Sequence, residues 1–436
     1  MKKYFFLLLC TVIFTAIANE TIFTDNFKRS QWRTPNTQNW ANVADNTLIL
    51  DDDKLYIRYA GGEHPFGAKY SFSLENIEDG EFKLGFYVYI AGNKVSQYFS
   101  EKLTHKGEFT LELPESVRNI GIIIQGKGKY RNAKLIRIVD PAYKLTADPI
   151  YQMTSEEPQP VTFILYHNEK EIPNADIQKN GLDAVHPPSG ATTSAYIVKA
   201  DTAAFDAAAK NIKLTKPVSV LYLGDSLTHF DLGFNHVDKF DYFLNKHNPG
   251  KAELWNYACG GDDIQRIVQR LNNNGTGRWK NRYQDIWSRS YDWAFILLGH
   301  NDTKASSAKN YTEPVITPAQ QLKSYEILIA KLKEKDIKRI ILVSSTSSNF
   351  DLCRANAEKN KRVHNRFGDP KHQENFNTVL QELAQKHSLE YLDVYTPMKA
   401  LPDKADLLNP RDGVHLTPAG HDFIALETLK YLEKTQ

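Results

Sequence analysis

The stretch Val218-Ser-Val-Leu-Tyr-Leu-Gly-Asp-Ser-Leu-Thr228 decides the fold of the second half of this chain. Its apolar run reads as a buried strand, and Gly224-Asp225 turns it toward a helix with Ser226 at the bend. A hydroxyl at the carboxyl end of a strand lies where open α/β sheets bind their ligands, so the turn is a mounting for a nucleophile. Taken alone, Gly-Asp-Ser is equally well a turn before a helix.

Further apolar runs follow at 253–257, 293–298, 339–344 and 390–394. Segments with helical periodicity separate them, at 236–246, 263–272, 318–335, 373–386 and 418–434. Strand alternating with helix predicts a parallel sheet covered on both faces. Three more motifs fall in loops at strand ends or just before helices: Asn256-Tyr-Ala-Cys-Gly-Gly-Asp262, Gly299-His-Asn-Asp302 and Asp412-Gly-Val-His415. Each has a plain structural reading as a turn or an N-cap, and their joint occurrence in order argues against four coincidences.

From Pro217 to the C-terminus these four blocks resemble the SGNH (GDSL-type) hydrolases, serine esterases on a flavodoxin-like sheet. The resemblance implies Ser226 as nucleophile, Gly261 and Asn301 as oxyanion donors, and Asp412 and His415 as the rest of a triad. His300 departs from the commonest pattern, in which a small residue stands there. The Gly-His-Asn-Asp form is similar to the rhamnogalacturonan acetylesterase branch and implies an acetylated polysaccharide as substrate.

The residues carry the same chemistry without the family. A serine hydroxyl attacks an ester only if a base removes its proton, and His415 is the candidate base. Asp412, three residues earlier, can fix the imidazole tautomer and stabilise its cation. The negative oxygen of the tetrahedral intermediate needs preorganised donors. The Ser226 N–H at a helix N-terminus, the Gly261 N–H and the neutral Asn301 amide are three such donors. Neither a cofactor nor a metal is expected, since no HExxH or paired CxxC spacing is present.

Composition bounds the setting. The chain has 436 residues, enough for two domains, and Met1-Lys-Lys followed by an apolar stretch to Ala18 reads as a secretory signal peptide. The apolar stretch is short for a membrane span, so stable insertion after signal removal is not expected, and a secreted or periplasmic location is. Basic and acidic residues number 54 and 52, and loss of Lys2 and Lys3 would balance them. A neutral chain has no electrostatic footprint for nucleic acid. The basic run 354–371 is a local exception and follows the fourth strand, so part of it could border the active-site mouth. Cys259 and Cys353 are open to two readings, a disulfide near the catalytic rim or two buried thiols.

Residues 19–140 read differently, as short β-rich runs at 48–50, 54–59, 69–72, 82–90, 109–113, 120–124 and 133–139 with turn residues between them. The expected fold is an all-β, jelly-roll-like sandwich ahead of the α/β domain. Most of its aromatics are expected in the core, with Trp32 and Trp40, in a polar stretch, as candidate sugar-stacking residues. Two roles stand open for the module, carbohydrate binding or structural support. Residues 141–216 read as a partly structured connector, helix-prone at 201–212.

The function expected is a secreted serine esterase acting on O-acyl, chiefly O-acetyl, groups of an acylated carbohydrate. The alternatives are a lipase or arylesterase for longer acyl chains and a non-catalytic carbohydrate-binding protein. Glycan identity and oligomeric state are not legible.

Overall fold

The computed structural model describes residues 19–25, 27, 31–34, 40–60, 64–90, 94–114, 117, 119–229, 234–276, 280–359 and 365–435. The expected signal peptide at 1–18 lies outside the described residues. Two compact units divide the chain, Met1–Ile150 with Gln159–Tyr196, and Tyr151–Pro158 with Ile197–Gln436. The division falls within 141–216. Its parts 141–150 and 159–196 join the first unit, and 151–158 and 197–216 join the second.

In the first unit, strands Thr47–Leu50, Gly128–Ile138, Lys69–Asn76 and Lys106–Glu112 lie side by side in that order in one antiparallel sheet. Strands Leu55–Tyr59, Asn119–Gln125, Lys83–Ile90 and Lys94–Phe99 form the other. This interleaved order, with successive strands crossing between sheets, is that of a jelly roll. The period of two assigns the faces: Ile120, Ile122 and Ile124 enter the main core with Leu84, Phe86 and Val88, whereas Ile123 and Tyr87 face the other way.

Trp32 belongs to this core and not to a ligand surface. It is fully buried, its ring 6.1 Å from that of Phe72, and its Nε1–H donates to Asp25 Oδ2 at 3.1 Å. Asp25 also takes Arg58 Nη1 at 2.6 Å, so the polar sequence around Trp32 reflects a buried polar partner for the indole. Trp40 is 55% exposed, with the Arg33 guanidinium 5.9 Å from its ring.

In the second unit, five parallel strands lie in the order Ala252–Asn256, Val218–Gly224, Trp293–Leu297, Arg339–Val343 and Glu390–Leu392. In chain order this is 2-1-3-4-5, the flavodoxin-like arrangement. Each face has its own core. Leu221 and Leu223 pack beneath helices Ile264–Leu271, Pro318–Glu334 and Pro370–His387. Val220 and Tyr222 pack beneath Ala203–Ala209, His236–His247 and Pro418–Lys434.

The helices expected from 236, 318 and 418 start at those residues, whereas the one expected from 373 begins at Pro370. Asp263 caps the Arg266 N–H at 3.0 Å, and Thr317, Asp369 and Thr417 each cap a helix with proline at its first position. No helix among the described residues is long and apolar enough to cross a membrane.

Trp32→Ala should lower the stability of the first unit by about 3–5 kcal/mol, because it empties a large core site. Trp40→Ala should stay within about 0.5 kcal/mol of wild type. Denaturant unfolding of both variants checks this, and a stable Trp32→Ala protein would contradict the core assignment.

Candidate active site

The strand Val218–Gly224 is followed by Asp225, and Ser226 opens the one-turn helix Ser226–His229. The elbow is short because Asp225, wholly buried, turns its carboxylate back onto the chain and accepts the Leu227 N–H at 2.9 Å. A single turn contributes little macrodipole, so the helix-end field expected at Ser226 is weak and its N–H acts as an individual donor.

His415 reaches this serine from the other end of the chain. Its Nε2 lies 2.9 Å from Ser226 Oγ and its Nδ1 3.0 Å from Asp412 Oδ2. Asp412 Oδ1 accepts the N–H groups of Val414 and His415 at 2.8 and 2.9 Å. Burial pulls the Asp412 carboxyl up, but the His415 contact and those two amides outweigh it and hold the group at about 2. It is therefore ionised at any working pH. The loop carrying both residues is anchored by Asn349, whose N–H donates to Gly413 O at 2.9 Å, and by the Cys353 thiol, 3.3 Å from Asp412 O. Cys259 and Cys353 are both free and buried, so the disulfide reading falls.

Asn301 and Gly261 sit on neighbouring loops. Asn301 Nδ2 donates to Asp225 Oδ2 at 3.4 Å, which brings the amide beside the serine turn. Gly299 makes this turn possible. It has φ 140, and a Cβ there would lie 2.4 Å from the Ser345 Cβ. Gly261 has φ 84, and a Cβ there would lie 3.7 Å from Arg266 Nη1. The adjoining Gly260 N–H donates to His229 Nδ1 at 2.9 Å, tying this loop to the serine helix. Behind it, Asp262 and Arg270 form a buried two-bond pair at 2.7 and 2.9 Å.

Two groups escaped sequence reasoning. Asp302 is wholly buried and accepts the Ile264 N–H at 2.9 Å, so it joins the Asn301 turn to the helix that follows Gly261. Its signal was adjacency to Asn301, obscured because Asn-Asp after a strand also reads as punctuation. Burial, with Asp263 and Asp225 nearby, pushes Asp302 up to about 8, and burial likewise moves Asp225 up to about 6. The second group is the run Ser344–Ser345–Thr346–Ser347–Ser348 after the fourth strand, buried throughout. Ser344 Oγ accepts the N–H groups of Val394 and Tyr395, and Ser345 N–H donates to Asn377.

His300, the departure noted in the sequence, joins this second group. Its Nε2 lies 2.8 Å from Thr346 Oγ1 and its Nδ1 takes Gln373 Nε2 at 3.3 Å. Burial, with His415 adding, brings it down to about 4, so it is a neutral strut. Among the described residues no cluster of three or more histidine, cysteine or acidic side chains could hold a metal ion.

The flavodoxin-like sheet brings serine, histidine and aspartate together at its carboxyl edge. Residues 222–423 match the GDSL-like lipase/acylhydrolase family. The probable rhamnogalacturonan acetylesterase YesY of Bacillus subtilis is 31% identical over 102 residues, 23% of this chain. The chain spans 41% of that relative's length. A lipase/acylhydrolase from Enterococcus faecalis aligns with 19% identity over 50% of this chain and 96% of its own, at TM-score 0.38. The acetylxylan esterase Axe2 from Geobacillus stearothermophilus aligns with 20% identity over 50% of this chain and 94% of its own, at TM-score 0.37.

The folded protein holds the Asp302 proton to about pH 8, whereas its ordinary value is 3.8. The native state binds more protons across that window, so stability falls as pH rises through it. Asp302→Asn keeps an acceptor for Ile264 and removes the titration. Its melting temperature should drop less than that of wild type between about pH 5 and pH 8. Parallel melting profiles would contradict a neutral buried Asp302.

Proposed function

We propose that the second unit is a serine esterase that removes O-acetyl groups from a polysaccharide or oligosaccharide through an acyl-enzyme on Ser226. The observation that carries the reading is the continuous contact from Ser226 Oγ to His415 Nε2 at 2.9 Å and from His415 Nδ1 to Asp412 at 3.0 Å. With Nδ1–H donating to Asp412, the Nε2 lone pair faces the serine hydroxyl and can take its proton.

In this mechanism Ser226 Oγ bonds to the ester carbonyl carbon as its proton passes to His415 Nε2. The carbonyl oxygen becomes an oxyanion, which the N–H groups of Ser226 and Gly261 and the Asn301 amide receive. Asn301 has two N–H donors. One goes to Asp225, and the other is available to the oxyanion. The C–O bond to the sugar then breaks and its alkoxide leaves with the proton from His415. A water deprotonated by the same histidine attacks the acyl-serine and releases acetate. Asp412, ionised throughout, stabilises the imidazolium in both halves.

The acetyl preference draws on the similarity to a probable rhamnogalacturonan acetylesterase. The lysines and apolar run before residue 19 support export, which fits a polymeric substrate outside the cell.

Ser226→Ala should lower kcat on 4-nitrophenyl acetate by several orders of magnitude with the fold intact by circular dichroism. Near-normal turnover in the pure variant would refute the nucleophile.

Asn301→Ala should lower kcat about 100- to 1,000-fold with KM little changed, since the amide binds the transition-state oxygen more strongly than the substrate carbonyl. A rise in KM at constant kcat would make Asn301 a ground-state binding residue instead.

A further inference from the structure

A cavity of about 540 Å³ opens beside the triad, and His415 and Asp412 form part of its wall. Its volume is in the range of about 300–1,000 Å³ common to small-ligand sites. None of the oxyanion donors Ser226, Gly261 and Asn301 lines it. That asymmetry matters for an ester. The histidine hands its proton to the departing oxygen, so the body of the leaving alcohol lies on the histidine's side while the acyl oxygen lies on the donors' side.

The lining suits a sugar. Asn356 and Asn365 offer amides that both donate and accept, and Phe367 supplies an aromatic ring. The charged group outside the triad is Lys359, the last residue of the helix Phe350–Lys359. Among the described residues no carboxylate pairs with it. Asp412, the acid in the wall, is already engaged by His415 and two backbone amides.

Two further cations stand on other elements of the second unit, outside the cavity wall. Lys304, just after the Asn301 turn, has its Nζ 5.8 Å from the Phe367 ring. Arg266 donates to Gly261 O at 2.8 Å, with Asp263 3.7 Å away as its partial counter-charge. Lys359 is thus the charged side chain that the wall offers outside the triad, on a chain that is close to neutral as a whole. Such a local field favours an anionic ligand.

We propose that this cavity receives the sugar that leaves as the alcohol, and that Lys359 selects a sugar bearing an anionic group, a uronate carboxylate or a sulfate ester. The inference rests on the esterase reading above and adds to it the substrate's charge and the side chain that reads it. An ammonium is a point charge without a fixed fork, so it serves either anion.

The full-length protein is assayed on four substrates: 4-nitrophenyl acetate, an acetylated neutral xylo-oligosaccharide, an acetylated galacturono-oligosaccharide and an acetylated sulfated oligosaccharide. At low salt, kcat/KM on at least one anionic substrate should exceed that on the neutral oligosaccharide by about tenfold or more, carried by KM, and salt should narrow the gap. Lys359→Gln should reduce the anionic-to-neutral ratio about 5- to 20-fold, and Lys359→Arg should restore most of it. Whichever anionic substrate shows the ratio identifies the group.

A second readout needs no turnover. Calorimetric binding of the deacetylated anionic oligosaccharide to Ser226→Ala should weaken by a similar factor when Lys359→Gln is added. Turnover of 4-nitrophenyl acetate with no preference for anionic sugars, or a preference that survives Lys359→Gln, overturns this inference and leaves the esterase standing. Failure to cleave any ester overturns the esterase reading and this inference with it.

Discussion

A parallel sheet covered on both faces must turn every strand at one edge, and each turn puts polar groups under cover. That constraint organises the second unit. Asp225, Asn301, Asp302, Asp262 and the run Ser344–Ser348 are all buried at that edge. A buried polar group costs free energy unless it is hydrogen-bonded, so these residues bind one another and the backbone between neighbouring loops. The same bonds fix the distances among the serine, the amide donors and the histidine.

The carboxyls show how the cost is met in different ways. Asp412 is half exposed and surrounded by donors, so it stays charged and can orient a histidine. Asp262 is buried but bonded through both oxygens to Arg270, which retains a charge pair inside the protein and stiffens the glycine loop. Asp302 is wholly buried and accepts the Ile264 N–H without an ion-pair partner among the described residues, so burial keeps its proton and it works as a neutral tie. Placing an unpaired charge there would oppose the fold, whereas the neutral form joins the loops of Gly261 and Asn301 at little electrostatic cost.

The buried histidines follow the same logic. His300 spans Thr346 and Gln373 as a neutral ring. His421 and His236 stack at 5.9 Å beneath the serine helix, and burial pulls both down. His415, beside the same turn, is about half exposed. The division of labour among histidines comes from solvent access, since all carry the same ring.

The sequence by itself determined the alternation of strand and helix in the second unit, the Thr417 cap with Pro418 after it, most of the strands of the first unit and the four loops at the strand ends. These are local properties: apolar period, turn chemistry and capping residues act over a few positions. It could not determine that His300 is a buried strut, that Trp32 is core while Trp40 is exposed, or that Asp302 is a neutral tie. Nor could it place Lys359 beside His415, 56 residues on. Burial and long-range contact decide such matters, and both exist only once Ser226 and His415, 189 positions apart, meet at the edge of one sheet.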